Sequence, residues 1–147
     1  MKPLLSIITL FTTALCCAAF EPTLEQERQF LARVESAFRT KDAAMLVKLH
    51  CLDGADSTLI PMFQSKIIPE LLRAEFADAS YIPVTAELGQ PYTHNGNLYS
   101  ANLTPVRALR IRFNKSASNE MTATTLLAGI KDGSLLIVVA VKAPSGR

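Results

Sequence analysis

The densest group of chemically reactive side chains in this chain is formed by His50, Cys51 and Asp53, followed closely by Asp56. A thiol next to an imidazole is the usual pairing of a nucleophile with its base, and these residue types are also common metal ligands. A metal ion needs three or four converging ligands, however, and the second histidine, His94, lies far along the chain. We therefore expect no metal site and no cofactor, and we take His50, Cys51 and Asp53 as the catalytic candidates.

A structural explanation competes with the catalytic one for this cluster. If a helix extends to Cys51, the side chains of His50 and Cys51 point about 100° apart and do not face each other. Cys51 is then a small buried residue at a helix end, and His50 interacts favourably with the negative end of the helix dipole. We expect Cys51 to be structural.

A second set of residues has the chemistry to contact a ligand. Tyr92 and His94 lie in a predicted turn, and Tyr99 follows it. Tyrosine rings can form the rim of a pocket, and a loop histidine can bind a ligand or catalyse. Arg110 and Arg112 share one face of a predicted strand and would offer a cationic stripe to an acidic ligand. Solvent-exposed turn and sheet positions explain the same residues without any ligand.

The first nineteen residues have the layout of a secretory signal peptide. Lys2 precedes a mainly apolar run from Leu4 to Leu15, and small residues end at Ala19. We expect cleavage between Ala19 and Phe20, export to the periplasm or the medium, and no membrane attachment afterwards. A retained anchor or a lipid-modified cysteine is the alternative.

The composition sets further limits. Removal of the leader leaves about 128 residues, the ordinary size of one domain, and we expect that domain at residues 20–143 with a flexible tail at 144–147. The net charge is +2, and no basic run alternates with aromatic residues, so we expect no nucleic-acid partner. Because two of the three cysteines lie in the leader, the packed core, not a disulfide, must hold the fold.

The amino-terminal half predicts helices. Thr23 and Gln26 form a capping box at the start of an amphipathic helix that a break around Lys41 ends. Asp42 can cap a second helix running from Ala43 to about Cys51.

A third helical segment is expected from Ser57 to about Phe76. Because Pro69 cannot continue a regular helix, we expect a kink or break near Ile68.

The carboxy-terminal half predicts strands joined by turns. Asp132-Gly133 has the chemistry of a tight hairpin turn. The run after it is almost continuously apolar, so we expect one central strand covered on both faces. The predicted strands are Tyr81–Thr85, Val106–Phe113, Met121–Ile130 and Leu135–Val141, with polar turns at 90–97 and 114–119.

Helices followed by antiparallel strands predict an α+β domain, with N-terminal helices packed on a curved antiparallel sheet of about four strands. Residues 34–54, VESAFRTKDAAMLVKLHCLDG, resemble the opening of nuclear-transport-factor-2-like (NTF2-like) domains, the cone-shaped superfamily that includes ketosteroid isomerase. Those domains begin with an amphipathic helix, a short break containing Asp and a second short helix. A cystatin-like fold, one helix wrapped by an antiparallel sheet, is the alternative.

The resemblance implies a domain in which a curved sheet lines a pocket. No isomerase motif matches, so no catalytic residue is carried over, and we lean away from an enzyme. The first hypothesis is an exported domain that binds a small molecule or a protein partner through its concave sheet without catalysis. The alternatives are a small cone-pocket enzyme of the isomerase, dehydratase or hydrolase type, and an assembly domain that forms a homodimer through its sheet.

Overall fold

The computed structural model of the chain describes residues 20–114 and 122–143. The predicted signal peptide, most of the predicted turn at 114–119 and the expected tail at 144–147 lie outside these residues. Within the described ranges, no helix is both long and apolar enough to cross a membrane.

Helix α1 spans Leu24–Thr40 and begins with the predicted capping box. The backbone nitrogen of Gln26 donates to the Thr23 hydroxyl at 3.2 Å, and the backbone nitrogen of Thr23 donates to the Gln26 side chain at 2.7 Å. Lys41 adopts a left-handed conformation with φ 55° and ends the helix. The buried stripe of α1 consists of Phe30, Val34, Ala37 and Phe38.

Helix α2 spans Ala43–Lys48 and is capped by Asp42, as expected. It ends before Cys51, so the predicted end was wrong. The residues after it pair instead with Ile137, whose backbone nitrogen donates to the Leu49 carbonyl at 2.7 Å and whose carbonyl accepts from the Cys51 nitrogen at 2.9 Å. His50 is thereby held in a parallel bridge to Ile137. These backbone bonds to a strand take the place of another helical turn.

The third helical segment consists of α3 (Leu59–Met62), a π-helical turn (Phe63–Ile67) and α4 (Ile68–Leu71). The predicted irregularity near Pro69 is present as this π turn. Proline has no backbone N–H, so a regular helical bond is missing at this position in any case. The predicted end near Phe76 was wrong, because the chain enters a strand at Glu75.

Two antiparallel sheets follow the helices. A strongly curled half-barrel has the strand order β1-β4-β5-β6, and a smaller sheet, which the sequence did not predict, has the order β2-β3-β7. The α+β class is confirmed, and the curled sheet is compatible with an NTF2-like cone. The strands are β1 Glu75–Ile82, β2 Tyr92–His94, β3 Asn97–Ala101, β4 Arg107–Asn114, β5 Ala123–Lys131, β6 Ser134–Ile137 and β7 Ala140–Lys142.

Strand β4 shows the predicted alternation. Leu109, Ile111 and Phe113 are buried in the core cluster that also contains the α1 stripe, whereas Arg110 and Arg112 are exposed on the opposite face. Burial of this apolar face under α1 provides the main hydrophobic stabilisation of the helix–sheet layer.

The predicted continuous strand at Leu135–Val141 was wrong. The Asp132-Gly133 turn forms with both φ values positive, 49° and 76°, but β6 ends at Ile137 and β7 begins at Ala140 in the other sheet. Each of these strands lies at an edge of its sheet, so neither is central. The junction at Val138 and Val139 carries the chain from the half-barrel to the small sheet.

Candidate functional site

A pocket of about 410 Å³ lies between β5, the β6–β7 junction, the small sheet and the π turn. We call it the His50 pocket. Its volume falls in the range of about 300–1,000 Å³ that is typical of small-molecule sites. Polar groups from His50, Gln90, Tyr92, Ser100 and Thr125 interrupt a mainly apolar wall. The apolar wall is formed by Phe63, Ala101, Leu126, Leu127, Ile137, Val138, Val139 and Ala140.

The half-buried imidazole of His50 is the polar group with the best-defined chemistry in this pocket. Its Nδ1 lies 2.7 Å from the Leu46 carbonyl, and a carbonyl can only accept, so Nδ1 carries the proton. Burial lowers the pKa of His50 below its ordinary value, and the bond to Leu46 only partly opposes this. The ring is therefore neutral at pH 7, and its Nε2 is a hydrogen-bond acceptor.

Two contacts hold this imidazole in place. The backbone on both sides of His50 is bonded to Ile137, and the ring of Phe63 meets the imidazole edge-to-face, with centroids 4.9 Å apart at 74°. Phe63 is the first residue of the π turn, and π turns occur frequently at functional sites. The irregular helix thus places an aromatic wall against the one imidazole of the pocket.

A second cavity of about 250 Å³ adjoins the His50 pocket and shares Phe63, Val139 and Ala140 with it. We call it the side cavity. Leu59, Met62 and Ile67 line it and remain 43%, 43% and 47% exposed. Its other lining residues are Leu52, Ala55, Asp56 and Ile60.

The structure does not bring the catalytic candidates together. Cys51 is buried at 2% exposure, and its carbonyl accepts from the Asn102 side chain. Asp53 is exposed and forms an ion pair with Lys131, not with His50. In the described part of the chain, no three His, Cys, Asp or Glu side chains are placed to hold a metal ion.

One of the three turn candidates reaches the pocket. Tyr92 lines it and stacks on Tyr99 across the β2–β3 hairpin, with ring centroids 5.5 Å apart. His94 is exposed at the tip of the same hairpin, opposite Asn97, and does not line the His50 pocket.

The arginine candidates lie on a different surface. Arg112 donates to both carboxylate oxygens of Asp78, at 2.8 Å and 2.5 Å, and this contact lowers the pKa of Asp78. Arg110 and Arg112 border a shallow depression next to Asp78 and do not line the His50 pocket. Because Asp78 neutralises one of the two charges, the predicted cationic stripe is weakened.

Two important residues were missed from the sequence. Phe63 gave no signal beyond its helical spacing, although Pro69 marked the irregular helix that orients it. Asn102 was not among the candidates, yet its side chain bonds the backbones of Cys51, Asp53 and Val139. Neither role follows from local sequence, because both depend on segments distant in the chain.

No family model, curated protein or solved structure matches this chain. The function has to be argued from the geometry of the site.

Proposed function

We propose that this domain binds a small, mainly apolar molecule in the His50 pocket without transforming it. The observation that carries the proposal is a neutral, firmly held imidazole in the wall of an otherwise mainly apolar pocket of ligand size. We also propose an NTF2-like relationship, which the curled half-barrel supports.

The chemistry of the wall supports this function. Each methylene group that a ligand buries contributes about 0.8 kcal/mol, so the apolar wall would provide most of the affinity. The Nε2 atom of His50 would accept one hydrogen bond and orient the ligand. The pocket therefore favours molecules with a hydrogen-bond donor next to an apolar body.

A cone-pocket enzyme is the second candidate, and the same residue favours it. A neutral imidazole can act as a general base. Neither Cys51 nor Asp53 reaches His50, however, and the carboxylates in the described residues lie outside the lining of the His50 pocket. Binding without chemistry needs no such partner and is the better-supported proposal.

The proposed location is outside the cytoplasm, as the predicted leader implies. Intact-mass measurement of protein from the exported fraction tests this. We expect the mass of a protein that begins at Phe20. A mass that includes residues 1–19 would contradict the proposed export.

Isothermal titration with 1-octanol tests the binding function. We expect saturable binding to the wild-type domain and about fivefold weaker binding to His50→Asn, because a lost hydrogen bond is worth about 1 kcal/mol. Asparagine can keep the Nδ1 bond to Leu46 but has no atom at the position of Nε2, whereas His50→Gln keeps a polar atom there.

His94→Asn is the matched control, since His94 is an exposed histidine outside the pocket. It should bind 1-octanol like the wild type. Absence of binding to the folded wild-type domain, or equal weakening by both histidine variants, would contradict the proposal.

A further inference from the structure

We infer that the ligand is an uncharged amphiphile with a hydroxyl or amide donor and one unbranched hydrocarbon chain, which passes Phe63 into the side cavity. This inference rests on the proposed binding function and names its ligand class. The donor would meet Nε2 of His50, and the chain would lie along the shared wall of Phe63, Val139 and Ala140.

The sizes of the two cavities point to one elongated occupant. The side cavity, at about 250 Å³, is below the range of about 300–1,000 Å³ that is typical of independent ligand sites. It adjoins a larger pocket that contains the orienting imidazole. The side cavity is therefore best explained as an extension of the His50 pocket that receives the distal end of a chain.

The walls of the side cavity expose large apolar side chains to solvent. Leu59, Met62 and Ile67 are three of the eight large apolar residues that are exposed in the described part of the chain, and they line this one cavity. Single exposed apolar residues are normal, but a contiguous group marks a binding groove. A flexible hydrocarbon chain matches this wall, because it requires no polar partner along its length.

The charges of the two cavities favour an uncharged ligand. The described residues lining the His50 pocket include no lysine or arginine, and those lining the side cavity include one charged group, Asp56. Asp56 is already bonded to the backbone nitrogen and hydroxyl of Thr58. An anionic head group would find no cation on either wall, and burying an unpaired charge is costly.

The acceptor role of Nε2 in His50 determines which head group the ligand can have. Since Nδ1 of His50 donates to Leu46, Nε2 can only accept, and the ligand must donate. A hydroxyl or an amide N–H satisfies this requirement, whereas an ether, a ketone or an ionised carboxylate does not.

Isothermal titration of the protein with 1-alkanols, from 1-hexanol to 1-decanol, tests the inference. In the wild type, the Kd should fall about fourfold for each added methylene throughout the series, because each one is buried. Ala55→Phe should fill the side cavity, so that the Kd stops falling partway through the series while 1-hexanol binds as before. Ala55→Leu serves the same purpose if the phenylalanine variant does not fold.

Ala32→Phe is the matched control, because Ala32 is an exposed residue of α1 that lines neither cavity. It should keep the wild-type dependence on chain length. Octanoate at pH 8 should bind at least tenfold more weakly than 1-octanol.

Three results would overturn the inference while leaving the proposed function intact. The wild-type Kd could stop falling at the same chain length as in Ala55→Phe, octanoate could bind as tightly as 1-octanol, or the wild type could form a dimer that Ala55→Phe disrupts, in which case a second copy covers the side cavity. Failure of every alkanol to bind the folded wild type would instead contradict the proposed function itself.

Discussion

The side-chain oxygen of Asn102 accepts a hydrogen bond from the backbone nitrogen of Val139 at 3.0 Å, where the chain passes from one sheet to the other. The backbone nitrogen of Asn102 donates to the Val139 carbonyl at 3.0 Å. The side-chain nitrogen of Asn102 donates to the carbonyls of Cys51 and Asp53, at 2.7 Å and 2.9 Å. One asparagine therefore joins the β6–β7 junction to the segment that holds His50.

Asn102→Ala should lower the free energy of unfolding by about 3 kcal/mol, because three hydrogen bonds to backbone atoms are lost at about 1 kcal/mol each. Asn102→Asp should cost at least as much, since a carboxylate oxygen then faces two carbonyl oxygens. Urea denaturation monitored by circular dichroism measures both changes.

The control for this prediction is Asn97→Asp in the exposed β2–β3 hairpin. Its side chain makes one long bond, 3.3 Å to the Asn95 carbonyl, so its replacement should change stability by less than about 0.5 kcal/mol. Equal stabilities of the Asn102 and Asn97 variants would contradict the role assigned to Asn102.

The break between β6 and β7 determines which substitution in this segment should unfold the protein. Ile137 is 2% exposed, and its backbone nitrogen and carbonyl are both hydrogen-bonded to the segment around His50. Ile137→Asp should therefore leave no folded population, because it buries an unpaired charge. Val138 is half-buried in the pocket wall, so Val138→Asp should remain folded with a lower melting temperature and lose 1-octanol binding. Thermal unfolding and titration separate these outcomes. An unfolded Val138→Asp together with a folded Ile137→Asp would show that the faces of this strand are reversed.

Local signals predicted the elements whose cause is local. The capping box at Thr23, the cap at Asp42, the alternation of β4 and the turn at Asp132-Gly133 all depend on neighbouring residues, and all four are confirmed. The break between β6 and β7 was missed because Val138 and Val139 have the same apolar composition as the strands around them. At the break, the backbone nitrogen of Val139 donates to the side chain of Asn102, which approaches only in the folded chain.

The candidate site was predicted only in part, because its arrangement depends on contacts between distant segments of the chain. His50 and Tyr92 were among the candidates and line the pocket, but the sequence grouped His50 with Cys51 and Asp53 because these residues are close together along the chain. The bridge to Ile137 decides where these side chains go. Such a bridge joins residues far apart in sequence and leaves no local pattern.

Gly129→Ala should destabilise the domain by about 3 kcal/mol, near the upper end for an overpacked core. An added Cβ would lie 2.7 Å from the Leu103 Cβ and 2.8 Å from the Thr104 carbonyl oxygen, so the backbone at these two residues would have to move. Gly133→Ala is the control. It adds a Cβ in open space at φ 76° and should cost only about 1 kcal/mol of backbone strain. A smaller loss of stability for Gly129→Ala than for Gly133→Ala in urea denaturation would contradict the close approach of Leu103 and Thr104 to Gly129.

Cys51 should react slowly with thiol reagents in the native protein, because it is 2% exposed, and rapidly once the protein is unfolded in urea. Ellman's reagent measures both rates. Rapid native labelling would instead point to an accessible, reactive thiol.

The domain should lose stability as the pH falls below about 6.5, the ordinary pKa of histidine. Burial lowers the pKa of His50 in the folded state, so between that lowered value and 6.5 the unfolded chain binds a proton that the folded chain does not. The contribution of His50 to stability is then fully present above pH 6.5. It decreases on acidification, by no more than about 1.4 kcal/mol per pH unit for one group. The lowered pKa values of Asp56 and Asp78 affect stability only at more acidic pH, near and below 3.8.

Urea denaturation at several pH values between 4.5 and 8 measures this dependence for the wild type and His50→Asn. His50→Asn should flatten the curve below pH 6.5, since asparagine does not titrate. A flat wild-type curve, or a slope that His50→Asn retains, would show that His50 does not remain neutral in the folded pocket.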